Sequence, residues 1–311
     1  MSHTTHESQE KTASKSAASG NFGAHQTNLT LDTHVILPKS TRNQINECLA
    51  RLKYHRKIYV DWNFRSVDPM GMSAVLNFFG APGTGKTLTA QALAGTLGMP
   101  IISLGIAELE SKFMGETAKN IQAAFSAARD SGAVLFFDEA DTLLGKRLSS
   151  VTQGVDNEVN AMRSTMLIEL ERFDGIVVFA TNFARNFDEA FRSRIGYHVR
   201  FELPDMETRT KLWDRMMVPE IPLGEERDYL LQQCAEASDG LSGREIRTGM
   251  RLALPKAVMA AQGEDAMLKF EHIASAIADI RLAHREVATS SGHEPTTKRD
   301  AQTAKNLLGL N

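Results

Sequence analysis

What the chain is short of narrows its class first. Of 311 residues only two are cysteine, Cys48 and Cys234. Two thiols cannot build a disulfide framework, which excludes a small cross-linked secreted scaffold and makes a reducing, cytosolic setting the expectation. No apolar run approaches the roughly 20 residues that a helix needs to cross a bilayer. The amino-terminal stretch MSHTTHESQEKTASKSAASG is polar where a signal peptide carries an apolar core, so neither export nor membrane insertion is expected. A basic excess is missing too: 35 Lys and Arg against 38 Asp and Glu leave a formal charge of −3. That lacks the cationic surplus on which phosphate-backbone binding depends, and no direct nucleic-acid partner is expected. Large apolar residues are scarce from residue 1 to about 28, where burial cannot offset the entropy of ordering, and the segment is expected to be a disordered tail. Its His3 and His6 are able to bind metal adventitiously, but their irregular setting gives no specific ligand geometry.

What is present is an alternation of two patterns. Hydrophobic residues make up 42% of the chain, enough for one large or two modest cores. LTLDTHVILP reads as a short extended piece. STRNQINECLARLKYHRKIY places Ile45, Leu49, Leu52 and Tyr59 near helical spacing, with Ser40 or Thr41 available as its cap. The apolar runs AVLNFF, PIISL, AVLFF, GIVVFAT and HVRFEL then alternate with helical stretches such as KTLTAQALAGTL and AKNIQAAFSAARD. Strands apolar on both faces with helices between them predict a parallel α/β sheet flanked by helices, spanning residues 29–204. After Pro204 four helical stretches and no comparable strand run follow, predicting a small all-α lid domain over 205–288. Residues 289–311 turn polar and are expected to form a flexible tail.

Three strand ends carry chemistry. Gly80-Ala81-Pro82-Gly83-Thr84-Gly85-Lys86-Thr87 matches G-x-x-x-x-G-K-[ST], after a strand and opening a helix, as the fold of P-loop NTPases requires. Glycines let backbone N–H groups turn toward phosphates, Lys86 would reach the β- and γ-phosphates, and Thr87 would ligate Mg²⁺. AVLFFDEAD ends its apolar run on Asp138 and Glu139 at the carboxyl edge of the sheet, where ligands bind. Asp138 would hold Mg²⁺ through its water shell and Glu139 would orient the attacking water. GIVVFATN ends on Asn182, whose amide would help to position that water. The expected ligands are ATP and Mg²⁺, and the expected reaction is hydrolysis.

These motifs, in this order and with the arginine-bearing segment FDEAFRSRI, resemble the AAA+ ATPases over roughly residues 35 to 285. The resemblance implies a homohexameric ring in which one subunit supplies arginines to its neighbour's γ-phosphate. Arg194 is the best match for that finger and Arg192 the second. In GLSGREI, Gly240 and Gly243 would allow close approach while Arg244 would sense the nucleotide in cis; Ser242 would also serve as a helix cap. ESKFMGETAKN occupies the place of a pore loop, with Phe113 and Met114 gripping a threaded polypeptide, Lys112 flanking them and Gly115 permitting the turn. A second pore-facing segment is expected within KRLSSVTQGVDNEVN.

GLSGR together with DEAFRSR is most similar to the branch that remodels HORMA-domain proteins, the pachytene-checkpoint type, and to its small bacterial antiphage relatives. That implies a client HORMA protein pulled from its closed to its open state and, through it, a cyclic-oligonucleotide synthase that is switched off. Phe113-Met114-Gly115 departs from the bulkier eukaryotic pore sequence, and no folded domain precedes the motor, so direct engagement by the pore is expected. Two alternatives remain at this point: a general unfoldase or complex-disassembling motor, and a nucleotide-switched assembly ATPase that does not thread.

Overall fold

The structure is a computed structural model that describes residues 22–68, 74–106, 117–145, 153–182, 188–262 and 265–291. Five strands, β1 (Ala74–Gly80), β2 (Ile101–Gly105), β3 (Val134–Asp138), β4 (Ile176–Thr181) and β5 (Tyr197–Phe201), pair in parallel in the order β2-β3-β4-β1-β5. They coincide with the five apolar runs. The runs are apolar because both faces of the sheet are covered. On one face Val75, Leu135, Phe137, Val177 and Phe179 pack with Ile121 and Phe125 of α4 (Thr117–Ser131) and with Met162 and Met166 of α6 (Gln153–Arg172). On the other, Leu76, Phe78, Phe136, Val178 and Val199 pack with Leu31, with Ile45, and with Ala90 and Leu93 of α3 (Lys86–Leu97).

Strand order matters more to function than strand number. With β4 lying between β3 and β1, the carboxyl ends of those three strands are neighbours. Any residue just past β4 therefore lies between the turn after β1 and the turn after β3.

Two local expectations are corrected. LTLDTHVILP is not extended throughout: Leu31–His34 forms one helical turn, α1, in which the His34 N–H donates to the Thr30 carbonyl and its ring Nδ1 accepts from the Thr30 N–H, each at 3.0 Å. A side chain closing its own turn leaves no trace in hydropathy. Ser40 and Thr41 lie within α2 (Lys39–Arg56), whose N-cap is Pro38, and do not cap it. Ser40 Oγ donates to Glu202 at 2.8 Å and Thr41 Oγ1 to the Arg200 carbonyl at 2.9 Å, so both hydroxyls fasten the helix to β5 and the residue after it. The polar segment expected to face a pore is helical from Gln153 onward, as the first turns of α6; residues 146–152 lie outside the described residues.

By its packing the chain divides into two compact units, one running to Thr208 together with Gly240–Arg244, the other comprising Arg209–Asp239 and the chain from Glu245. The second unit is helical, built from most of α8 (Met206–Met216), α9 (Arg227–Ala237), most of α10 (Gly243–Ala260) and α11 (Phe270–Ser291). Its centre is Trp213, fully buried, whose indole N–H donates to Ser238 Oγ at 3.0 Å. A Cβ at Gly249 would stand 3.2 Å from that ring, so a small residue is needed where α10 crosses it. Among the described residues no helix is long and apolar enough to cross a membrane.

Candidate active site

The turn after β1 is wound by residues in the left-handed region. Gly80 has φ of 144°, and a Cβ there would come within 2.1 Å of the Phe201 carbonyl oxygen. Gly83 has φ of 76°, and a Cβ there would press on Ser242 Oγ at 2.7 Å and Arg244 Cβ at 2.8 Å. Only glycine permits both this backbone and that approach. The Arg244 N–H donates to the Gly83 carbonyl at 3.1 Å, which brings the GLSGR segment onto the loop. Thr84 Oγ1 closes the turn on the Ala81 carbonyl at 2.8 Å, exposed Pro82 stands between them in sequence, and Gly85 is the N-cap of α3.

Lys86, in the first turn of α3, is buried, yet its ammonium is fully engaged. Nζ donates to the Gly80 carbonyl at 2.7 Å, the Ala81 carbonyl at 3.0 Å and Asn182 Oδ1 at 2.9 Å. Burial pushes its pKa down from the usual lysine value to about 8; the negative charges of Asp138 and Asp141 oppose that shift and Arg244 adds to it. The adjacent Thr87 is exposed, and its Oγ1 donates to Asp138 Oδ2 at 2.8 Å.

The β3 edge completes the arrangement. The other oxygen of Asp138, Oδ1, accepts the Glu139 N–H at 3.0 Å. Glu139 itself is exposed and has φ of 54°, a left-handed conformation that costs a non-glycine residue about 1–3 kcal/mol. The strain turns Glu139 out of the strand direction immediately after Asp138. At the end of β4, Asn182 donates its backbone N–H to Asp141 Oδ1 at 3.0 Å, and the Thr181 hydroxyl donates to the same oxygen.

Gly80 through Thr87, Asp138, Glu139, Asn182 and Arg244 thus converge at one sheet edge. The two finger candidates do not join them: among the described residues no hydrogen bond links Arg194 or Arg192 to the phosphate loop. Arg194, just beyond α7 (Glu189–Arg192), forms an ion pair with Glu171 near the end of α6, with Nε to Oε1 at 3.1 Å, and donates from Nη1 to the Ala190 carbonyl at 2.8 Å. Arg192 is exposed and lowers the pKa of His198 on β5 by its charge, second to the effect of that ring's burial. Lys112, Phe113, Met114 and Gly115 lie outside the described residues. Sequence reasoning passed over Asp141 and Glu171. Asp141 was visible as the last letter of DEAD, whereas nothing in the sequence pairs Glu171 with Arg194.

Residues 76–203 match the family model of the ATPases associated with various cellular activities (AAA), with the phosphate loop, both acidic residues and Asn182 inside the matched span. The chain carries an AAA ATPase domain. It is 31% identical over 245 residues to the katanin p60 ATPase-containing subunit A1 of Strongylocentrotus purpuratus, a match covering 70% of this chain and 45% of that protein. It is 34% identical over 176 residues to the proteasome-activating nucleotidase of Methanopyrus kandleri, covering 54% and 39%. The chain thus spans less than half the length of these curated relatives. In fold it resembles the FIGL-1 AAA domain, with a TM-score of 0.65 at 22% identity over 88% of this chain and 93% of that one; the same domain solved in complex with ADP gives 0.62.

An AAA ATPase domain binds ATP with Mg²⁺, and the residues here suit that pair. Thr87 offers a hydroxyl and Asp138 a carboxylate, both hard oxygen donors of the kind Mg²⁺ takes from protein while it keeps water and phosphate oxygens for the rest of its shell. Among the described residues no group of three or more His, Cys, Asp or Glu is placed to hold a metal ion. When bound, Mg²⁺ neutralises charge on the phosphate oxygens. The chain's own contribution is a loop closed by Thr84, an ammonium held at the loop's centre, and an amide next to it at the end of β4.

Proposed function

We propose that this AAA ATPase hydrolyses Mg-ATP within a homohexameric ring and uses the energy to thread part of a client protein through the ring's pore. In this reading Lys86 engages the β- and γ-phosphates, Thr87 and Asp138 hold Mg²⁺, Glu139 polarises the attacking water and Asn182 orients it. Arg244 reads the nucleotide from the loop it touches. What supports the ring is Arg194 at the end of DEAFRSR, held by its ion pair with Glu171 and its bond to the Ala190 carbonyl, as the arginine that would reach a neighbouring subunit's nucleotide. Arg192 would be its companion. Phe113 and Met114, flanked by Lys112 and Gly115, would grip the client.

The client we propose is a HORMA-domain protein, converted from closed to open, with a cyclic-oligonucleotide synthase released and its antiphage signal quenched. What supports this finer reading is the pairing of GLSGR with DEAFRSR in one short motor. The similarity to a katanin subunit and to a proteasome-activating nucleotidase favours a protein-directed motor generally, which keeps a less specialised unfoldase as the second reading. The test uses Glu139→Gln, whose mass is measured with ATP, alone and with a HORMA protein encoded beside it. A species about six times the chain mass that retains the HORMA protein only with ATP supports the proposal. A ring that ignores the HORMA protein returns the general unfoldase, and a monomer under all conditions removes the ring.

A further inference from the structure

The β3–β4 ladder ends early: its last pair is Phe137 with Phe179, one residue before Asp138 and two before Thr181. Beyond it the strands are held by a different set of bonds. The Ala140 N–H donates to the Ala180 carbonyl at 2.8 Å. Asp141, in the first turn of α5 (Asp141–Leu144), then presents one carboxylate oxygen to two donors, the Thr181 hydroxyl and the Asn182 N–H. Asn182 is thereby held at both ends, its main chain by Asp141 and its side-chain oxygen by Lys86.

These two tethers differ in kind. The Lys86 tether involves an ammonium that also belongs to the phosphate loop, so a bound γ-phosphate competes for it. The Asp141 tether runs between the turn after β3 and the end of β4, through the Thr181 hydroxyl and the Asn182 main-chain N–H. We infer that Asp141 is a positioning residue for hydrolysis: it fixes the main chain of Asn182, so that when phosphate draws Lys86 away the freed carboxamide swings about a fixed point onto the attacking water. This rests on the proposed role of Asn182. It also accounts for the shared oxygen, because one acceptor bonded to two consecutive residues sets their peptide plane as well as their distance.

The position of the oxygen, more than its charge, is what this role requires. Asp141→Asn keeps an acceptor in place and loses the charge; Asp141→Glu keeps the charge and moves the oxygens by one methylene. Hydrolysis by the full chain is measured for both, with KM for ATP and the melting temperature. The expected result is kcat within about fivefold of wild type for D141N. D141E should lose about 10- to 100-fold in kcat with KM nearly unchanged, because a displacement near 1 Å is enough to spoil such alignment. The reverse order, with D141N slow and D141E near wild type, overturns the inference, as does equal activity in all three. A double-mutant cycle with Asn182→Ala separates the layers. If N182A is slow and D141E adds nothing to it, Asp141 acts through Asn182. If N182A is slow and D141E multiplies the loss, the inference fails while the role of Asn182 stands. If N182A hydrolyses ATP at the wild-type rate, the role of Asn182 falls and the inference with it.

Discussion

Asn182 Oδ1 and Lys86 Nζ are 2.9 Å apart, so the amide at the end of β4 accepts a hydrogen bond from the ammonium in the first turn of α3. In the proposed role of Lys86, a γ-phosphate competes for the ammonium with Asn182 Oδ1 and with the Gly80 and Ala81 carbonyls. Removing Lys86 breaks this hydrogen bond and leaves the Gly80 and Ala81 carbonyls without their charged donor. Lys86→Ala should weaken ATP binding by about 10- to 100-fold, the equivalent of one charge-assisted hydrogen bond, as read by calorimetric titration. Wild-type affinity in that variant would mean that the loop does not bind phosphate through Lys86.

Arg194 should act on a neighbour's nucleotide. Arg194→Ala is expected to bind ATP normally and to lose hydrolysis by about 10³-fold or more, the range for a trans-acting arginine. The decisive measurement is a mixture. A ring combining R194A subunits, which keep Glu139, with E139Q subunits, which keep Arg194, contains sites with both groups intact. Mixed rings should recover activity that neither variant has alone. No recovery in rings shown to be mixed would place Arg194 outside the reaction.

The two thiols report on the two units separately, Cys48 on the first and Cys234 on the second. Both are buried, and burial raises Cys48 from 9.0 to about 11 and Cys234 to about 12. The native protein should therefore resist alkylation at pH 8, and peptide mapping during urea unfolding should show each cysteine reacting as its own unit opens. The sign of the pH effect follows from linkage. Between about pH 9 and 11 the unfolded chain has lost the Cys48 proton that the folded chain keeps, so the Cys48 contribution to stability falls as pH rises through that window, opposed below about pH 10.5 by Lys86, whose folded value is lowered to about 8. Cys48→Ala should remove this contribution, so that between about pH 9 and 11 the variant loses stability less steeply than wild type while the contribution of Cys234 remains.

The parts of this molecule legible in its sequence are those set by a period or a fixed spacing. All five strands appear as apolar runs because each is covered on both faces, and the phosphate loop appears because left-handed turns and close approach leave glycine as the residue for Gly80 and Gly83. Bonds between distant segments were not legible. Ser40 and Thr41 have the chemistry of caps, and their use as fasteners to Glu202 and Arg200 depends on where β5 lies. Leu31–His34 turns because one imidazole bonds back to Thr30. Asp141 and Asn182 are 41 residues apart, and their bond follows from the strand order that sets β4 beside β3. The arginine and glutamate of the Arg194–Glu171 pair are individually ordinary and informative only once together.

The central claim, that the convergence of Lys86, Thr87, Asp138, Glu139 and Asn182 hydrolyses Mg-ATP, is tested most directly by single-turnover hydrolysis in wild type and Glu139→Gln at saturating ATP, with and without Mg²⁺. Wild type should turn over ATP only with Mg²⁺, and in E139Q the ATP should stay bound while hydrolysis slows by about 100-fold or more. Equal rates in the two proteins, or hydrolysis by wild type that is indifferent to Mg²⁺, would contradict it.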